Sequence, residues 1–76
     1  MIHYNDLKQS DKNGIHEVLF QMNIIGIGDD DKVEHYYNQL PESIKEDGQH
    51  YSFSDTVIQD LIHDWFEKNI LSIILI

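Results

Sequence analysis

QHYSFSDTVIQDLIHDWFEKNILSIILI, residues 49–76, carries three different periodicities, and how they are read decides the fold. In its middle, Val57, Ile58, Leu61, Ile62, Trp65 and Phe66 fall on one stripe of a 3.6-residue repeat, the signature of an amphipathic helix. Ser54 or Asp55 is placed to cap that helix, and Asn69 to stop it. On either side the pattern changes. Gln49-His50-Tyr51-Ser52-Phe53 alternates, with Tyr51 and Phe53 on one face, as in a half-buried strand. Residues 70–76, in which Ile70, Ile73, Ile74 and Ile76 are β-branched, are too short for a separate helix. As a strand they would be buried on both faces or offer an edge to another chain; alternatively they prolong the preceding helix. Ile2-His3-Tyr4 is their candidate partner strand.

Two further helices are expected upstream. Ile15, Val18, Leu19 and Met22 have helical spacing, with Gly14 weakening the start, Ser10 or Asn5 as an earlier cap and an end near Asn23. Ile24-Ile25-Gly26-Ile27-Gly28 then leads on as a loop or short extended piece. Val33, Tyr36, Tyr37 and Leu40 repeat the same spacing behind Asp29-Asp30-Asp31. There one aspartate can cap, and the others meet the positive end of the helix dipole. Pro41 disfavours helix at Leu40 and begins a short turn over 42–46, and Asp47-Gly48 reads as a second turn. The fold predicted is α+β: three amphipathic helices packed on a small antiparallel sheet, with an all-α small bundle as the alternative.

The chain has 76 residues, room for a single domain over 1–76 and one core. A domain of this length buries only about 60% of the surface its unfolded chain exposes, so the stability margin is thin. It has no cysteine, which excludes a disulfide framework and a thiolate zinc site. No basic, apolar leader stands at the start, and residues 70–76 fall far short of the roughly 20 apolar residues of a membrane helix. The expectation is a cytoplasmic protein that does not enter membranes.

Fourteen acids face five lysines and no arginine, for a formal net charge of −9. The absence of alanine and the twelve isoleucines fit an AT-rich coding sequence, of the kind phages, mobile elements and low-GC bacteria carry. Spread over a globule roughly 30 Å across, the charge amounts to one per roughly 3 Å, against one per ~1.7 Å of duplex DNA. Phosphate backbones and anionic membranes are repelled by such a surface, and basic protein surfaces attracted. Solubility alone is the competing explanation.

Motifs that would carry chemistry fail on inspection. Gly26-Ile27-Gly28 is followed by Asp31 where a dinucleotide loop needs glycine, and its three aspartates would repel phosphate. His16-Glu17 opens a zinc-protease pattern that breaks at Phe20. A calcium loop begun at Asp29 breaks at Val33 and Leu40, leaving at most a weak surface cation site. None of the serines sits in a nucleophile elbow, and the five histidines lack paired metal-ligand spacing. No enzyme activity, metal ligand set or cofactor is therefore expected.

What remains is acid placed for contact. Asp60, His63, Asp64 and Glu67 share one helix face, where the like-charge pairs Asp60/Asp64 and Asp64/Glu67 each cost about 0.2–0.5 kcal/mol. A solvated face explains that stripe equally simply; the tolerated repulsion favours a contact surface over metal binding or acid–base catalysis. Asp29, Asp30, Asp31 and Glu34 form a second acidic group, and one of Tyr36 and Tyr37 is expected partly exposed beside it. Together Asp29, Asp30, Asp31, Glu34, Tyr36, Asp60, Asp64 and Glu67 are the candidate partner-binding residues. The function expected is an acidic, DNA-mimicking inhibitor that occupies the basic, nucleic-acid-binding surface of another protein, of anti-restriction or anti-CRISPR type. The alternatives are an immunity protein or antitoxin for a basic toxin, and a homo-oligomeric subunit joined through 70–76. Protonating the five histidines takes the net charge from −9 to about −4. Partner affinity measured at low salt is therefore expected to fall between pH 7.5 and 5.5, and affinity constant across that range would speak against charge-driven binding.

Overall fold

A computed structural model describes residues 2–71, with side chains through residue 69. Among these residues the chain forms four α-helices and no strand: α1 Gln9–Gln21, α2 Asp30–Gln39, α3 Glu42–Tyr51 and α4 Thr56–Phe66. A 3-10 turn, Tyr4–Asp6, precedes α1, and a π-helical turn, Glu67–Leu71, prolongs α4. The expected α+β fold is thus overturned, and the all-α alternative is the architecture. Helix α1 packs against both α2 and α4, α3 packs against α4, and the 3-10 turn leans on α2.

Three helices arise where their apolar spacing puts them. Ile15, Val18 and Leu19 of α1, Val33 and Tyr37 of α2, and Ile58, Ile62 and Phe66 of α4 are all buried. Leu7, Ile25, Leu40, Ile44 and Phe53 complete the core from the remaining segments. The α4 stripe is narrower than its sequence suggests, because Val57 is 65% and Leu61 38% exposed. Asp55 caps α4 as expected, its carboxylate accepting from the Val57 N–H at 2.8 Å. For α1 the N-cap is Lys8, with neither Ser10 nor Asn5 in that role. Leu40 is extended (φ −65°, ψ 144°), as the following Pro41 requires, and α3 starts directly afterwards.

The strands expected over 49–53 and 2–4 are not formed. Gln49, His50 and Tyr51 are the last residues of α3, and the chain then reverses at Ser52, whose φ is +119°. Phe53 turns inward to full burial while Tyr51 stays 65% exposed, so the two do not share a face. Asp47 and Gly48, expected as a turn, lie inside α3. Ile2 and His3 lead into the 3-10 turn that Tyr4 begins. Of residues 70–76, Ile70 and Leu71 have helical backbone, and 72–76 lie outside the described residues.

Phe53 is admitted by two glycines in the middle of helices. A Cβ on Gly14 of α1 would lie 2.4 Å from the Phe53 carbonyl oxygen, and one on Gly48 of α3 would lie 2.3 Å from Phe53 Cε1. Around this notch the loop is tied to α1. Asp11 Oδ1 accepts from the Phe53 N–H and the Ser52 hydroxyl, each at 3.2 Å. The Ser54 hydroxyl donates to the Ser10 carbonyl at 3.1 Å, and Gln59 Nε2 donates to the Gly14 carbonyl at 3.3 Å. Glycine-to-alanine exchange inside a helix ordinarily stabilises it by about 1 kcal/mol. Here the sign reverses. Gly14→Ala is expected to cost about 2 kcal/mol or more and Gly48→Ala about 1–3 kcal/mol, read as lowered urea midpoints at unchanged slope.

Candidate protein-interaction surface

The acids and the lysines are distributed differently. None of the fourteen carboxylate residues is buried: Asp11 and Asp29 are half-buried and the others exposed. Two of the five lysines are drawn toward aromatic rings. Lys45 is only 6% exposed, its Nζ 5.0 Å from the Tyr37 ring centroid, and Lys12 is half-buried with Nζ 5.2 Å from the Tyr4 centroid. Both stems cover apolar surface, and both cations gain the attraction of a ring face. The outer surface is correspondingly more acidic than the net charge alone implies.

Of the α2 group, Asp30, Asp31 and Glu34 stand exposed, and the Asp30 side chain is 87% accessible. Asp29 is different. It occupies the N-cap position of α2, yet no side-chain cap bond forms. Instead its Oδ2 accepts from the Gly26 N–H at 2.7 Å, and its Oδ1 lies 3.6 Å from Lys32 Nζ. Asp29 therefore fixes a turn. Tyr36 is half-buried, edge-on to Phe66 at 5.9 Å and to His35 at 5.2 Å, while Tyr37 is fully buried and donates its hydroxyl to the Ile2 carbonyl at 3.0 Å. Burial pushes the Tyr37 hydroxyl above its ordinary value near 10, with Glu42 and Asp11 adding to the effect. Tyr4 is raised in the same way, first by burial and then by Asp30 and Glu34.

The α4 stripe is solvent-facing throughout: Asp60, His63, Asp64 and Glu67 are all exposed. At about 1.5 Å rise per residue, its three carboxylates span roughly 10 Å along the axis. Ligand atoms of His63, Asp64 and Glu67 lie within 4.8 Å of one another, with His63 Nδ1 3.3 Å from Glu67 Oε2. These donors sit in full solvent on one helix, with no surrounding wall to strip water from an ion. Their chemistry is that of a flat anionic contact, suited to ammonium and guanidinium groups. The α2 acids and this stripe lie on separate helices, whose side chains meet at the Tyr36–Phe66 ring contact.

One feature of the surface escaped the sequence reading. Phe20 is 40% and Ile27 89% exposed, and with His16, Glu17, Gly28 and Asp30 they line an open groove of about 430 Å³ between α1 and the loop before α2. The apolar Ile27 held between two glycines was its only sequence signal. Comparison with protein-family models, with curated proteins and with solved structures gives no match to this chain. No helix among the described residues is long and apolar enough to cross a membrane.

The Gly26 N–H holds the Asp29 carboxyl below its usual value of 3.8; partial desolvation opposes this, and Lys32 adds to the lowering. A carboxyl whose value is depressed on folding stabilises the fold above its unfolded value and ceases to do so as pH falls through its folded value. Asp29→Asn is therefore expected to lower the urea midpoint at neutral pH, the gap closing as pH drops below 3.8. A pH-independent gap would mean that the carboxylate acts only as a neutral acceptor does.

Proposed function

We propose that the protein is a non-enzymatic acidic inhibitor that binds the basic, nucleic-acid-contacting surface of another protein. The observation that carries this reading is the segregation of charge: no carboxylate residue is buried and twelve of the fourteen are exposed, whereas Lys45 is buried and Lys12 half-buried. A fold serving solubility alone has no need to withdraw cations from its surface. The Asp60, Asp64 and Glu67 stripe supplies the densest regular array, and Asp30, Asp31 and Glu34 supply a second. Three charges over roughly 10 Å give a spacing near 5 Å, somewhat sparser than the ~3.4 Å per phosphate of one DNA strand. Such an array competes for sites shaped to grip a phosphate backbone without copying it atom for atom. The reading invokes no catalytic residue, metal or cofactor, and no direct contact with nucleic acid.

The test is competition. The immobilised chain, exposed to host lysate at low salt, is expected to retain one dominant basic protein that duplex DNA displaces. Asp60→Asn/Asp64→Asn/Glu67→Gln is then expected to weaken that protein about tenfold, since each exposed ion pair contributes about 0.2–1 kcal/mol. A retained toxin would move the reading to an immunity protein or antitoxin. Recovery of the chain alone would move it to a homo-oligomeric subunit, and retention unaffected by DNA or by the triple substitution would refute it.

A further inference from the structure

Among the described residues, Ile27 is the most exposed large apolar side chain, at 89%, and the loop that presents it is tightly built. The Gly26 N–H donates to Asp29 Oδ2 at 2.7 Å, and the Asp29 N–H donates back to the Gly26 carbonyl at 3.2 Å. Gly28, at φ +88°, closes the turn in a conformation that side-chain-bearing residues rarely adopt. Ile27 is thereby held outward in a reciprocally bonded turn. An apolar side chain fixed in water has forgone the gain of its own burial, and the entropy of ordering it on binding has already been spent.

The surroundings of Ile27 specify what fits. It shares its groove with Phe20, and the His16 ring lies nearly parallel to Phe20, at 6.3 Å between centroids and 12° between planes. His16 Nε2 is buried and lies 3.2 Å from Asp30 Oδ1, without the alignment of a hydrogen bond. The charged side chains lining the groove, Glu17 and Asp30, are both carboxylates. We propose that this groove docks a segment of a basic partner protein in which an apolar side chain stands next to an arginine. The apolar side chain packs on Ile27 and Phe20, and the guanidinium lies over the Phe20–His16 platform and pairs with Asp30 or Glu17. Guanidinium fits better than ammonium because it is planar, stacks on rings and meets a carboxylate with two parallel donors. Phosphate is repelled by both carboxylates. A second copy of the chain, in a symmetric contact, would oppose the same acids to themselves. The inference rests on the acidic-inhibitor reading and adds to it the place and the residue pair recognised.

A phage-displayed library of random twelve-residue peptides, panned at low salt on the intact chain, tests this directly. The peptides selected are expected to share an arginine beside leucine, isoleucine, phenylalanine or tryptophan. A synthetic peptide of that consensus should shift the amide resonances of Phe20, Ile27 and Asp30. Ile27→Ser should weaken it about tenfold at an unchanged melting temperature, arginine-to-lysine in the peptide should weaken it severalfold, and Glu46→Gln/Asp47→Asn on α3 should leave it unaltered. A consensus without arginine, shifts centred elsewhere, or full affinity in Ile27→Ser would overturn the proposal. So would a dimer in sedimentation that Ile27→Ser dissociates, which would give the groove to a second copy. Capture of a DNA-displaceable target that survives Ile27→Ser but not the α4 triple substitution would refute the groove alone and leave the acidic-inhibitor reading standing.

Discussion

The fold depends on one ring entering between two helices. Phe53 is completely buried, edge-on to Tyr37 at 5.8 Å, and sits where Gly14 of α1 and Gly48 of α3 leave room for it. Helix α3 can end at Tyr51 only because the next residue accepts a left-handed backbone, and a non-glycine residue in such a conformation costs on the order of 1–3 kcal/mol. That cost is offset locally. The Ser52 N–H bonds the Gly48 carbonyl at 2.8 Å, and Asp11 receives both the Ser52 hydroxyl and the Phe53 N–H. The turn then delivers Asp55 to cap α4 two residues later. A single buried residue thus sets the end of one helix, the start of the next and the seating of the turn between them on α1.

This anchor also explains which parts of the structure were legible. Helices α1, α2 and α4 carry apolar residues at helical spacing, so burial of Ile15 and Leu19, of Val33 and Tyr37, and of Ile58 and Ile62 followed from pattern alone. Helix α3 carries no such stripe: its buried residues are Ile44, Lys45 and Gly48. A lysine and a glycine read as surface and turn in any local window, and their burial is caused by Tyr37, on the preceding helix, and by Phe53, beyond the helix end. The apparent alternation of Tyr51 and Phe53 was likewise an accident of a helix end followed by a reversal. The candidate surface divided in the same way. Exposure of Asp60, Asp64 and Glu67 followed from helical geometry, whereas Asp29 was claimed by Gly26 and Tyr36 by Phe66, contacts that periodicity does not encode.

Charge and stability are opposed in this chain. A small domain with little core to spare carries a surface whose carboxylates repel one another, and the repulsion grows as salt is removed. The lysines relieve it unevenly along the stripe: Asp60 has no lysine one turn away, whereas Lys68 lies four residues beyond Asp64. Lys45 instead spends its cation against Tyr37. Acids are tolerated at helix N-termini, where Asp30 and Asp31 meet the favourable end of the α2 dipole, but the stripe along α4 has no such compensation.

Charge of this kind acts mainly before contact. It raises the rate of encounter and rejects wrong partners, while the lifetime of a complex is set by desolvated apolar anchors at its centre. Single exposed apolar side chains are ordinary on protein surfaces, so their position matters more than their number. Here they lie beside the acids: Phe20 and Ile27 share a groove with Glu17 and Asp30, and Val57 and Leu61 lie within one turn of Asp60 and Asp64 on α4. The surface proposed here, one that first attracts a basic protein and then holds it, needs both, and under that proposal the rigid turn at Ile27 serves the second requirement.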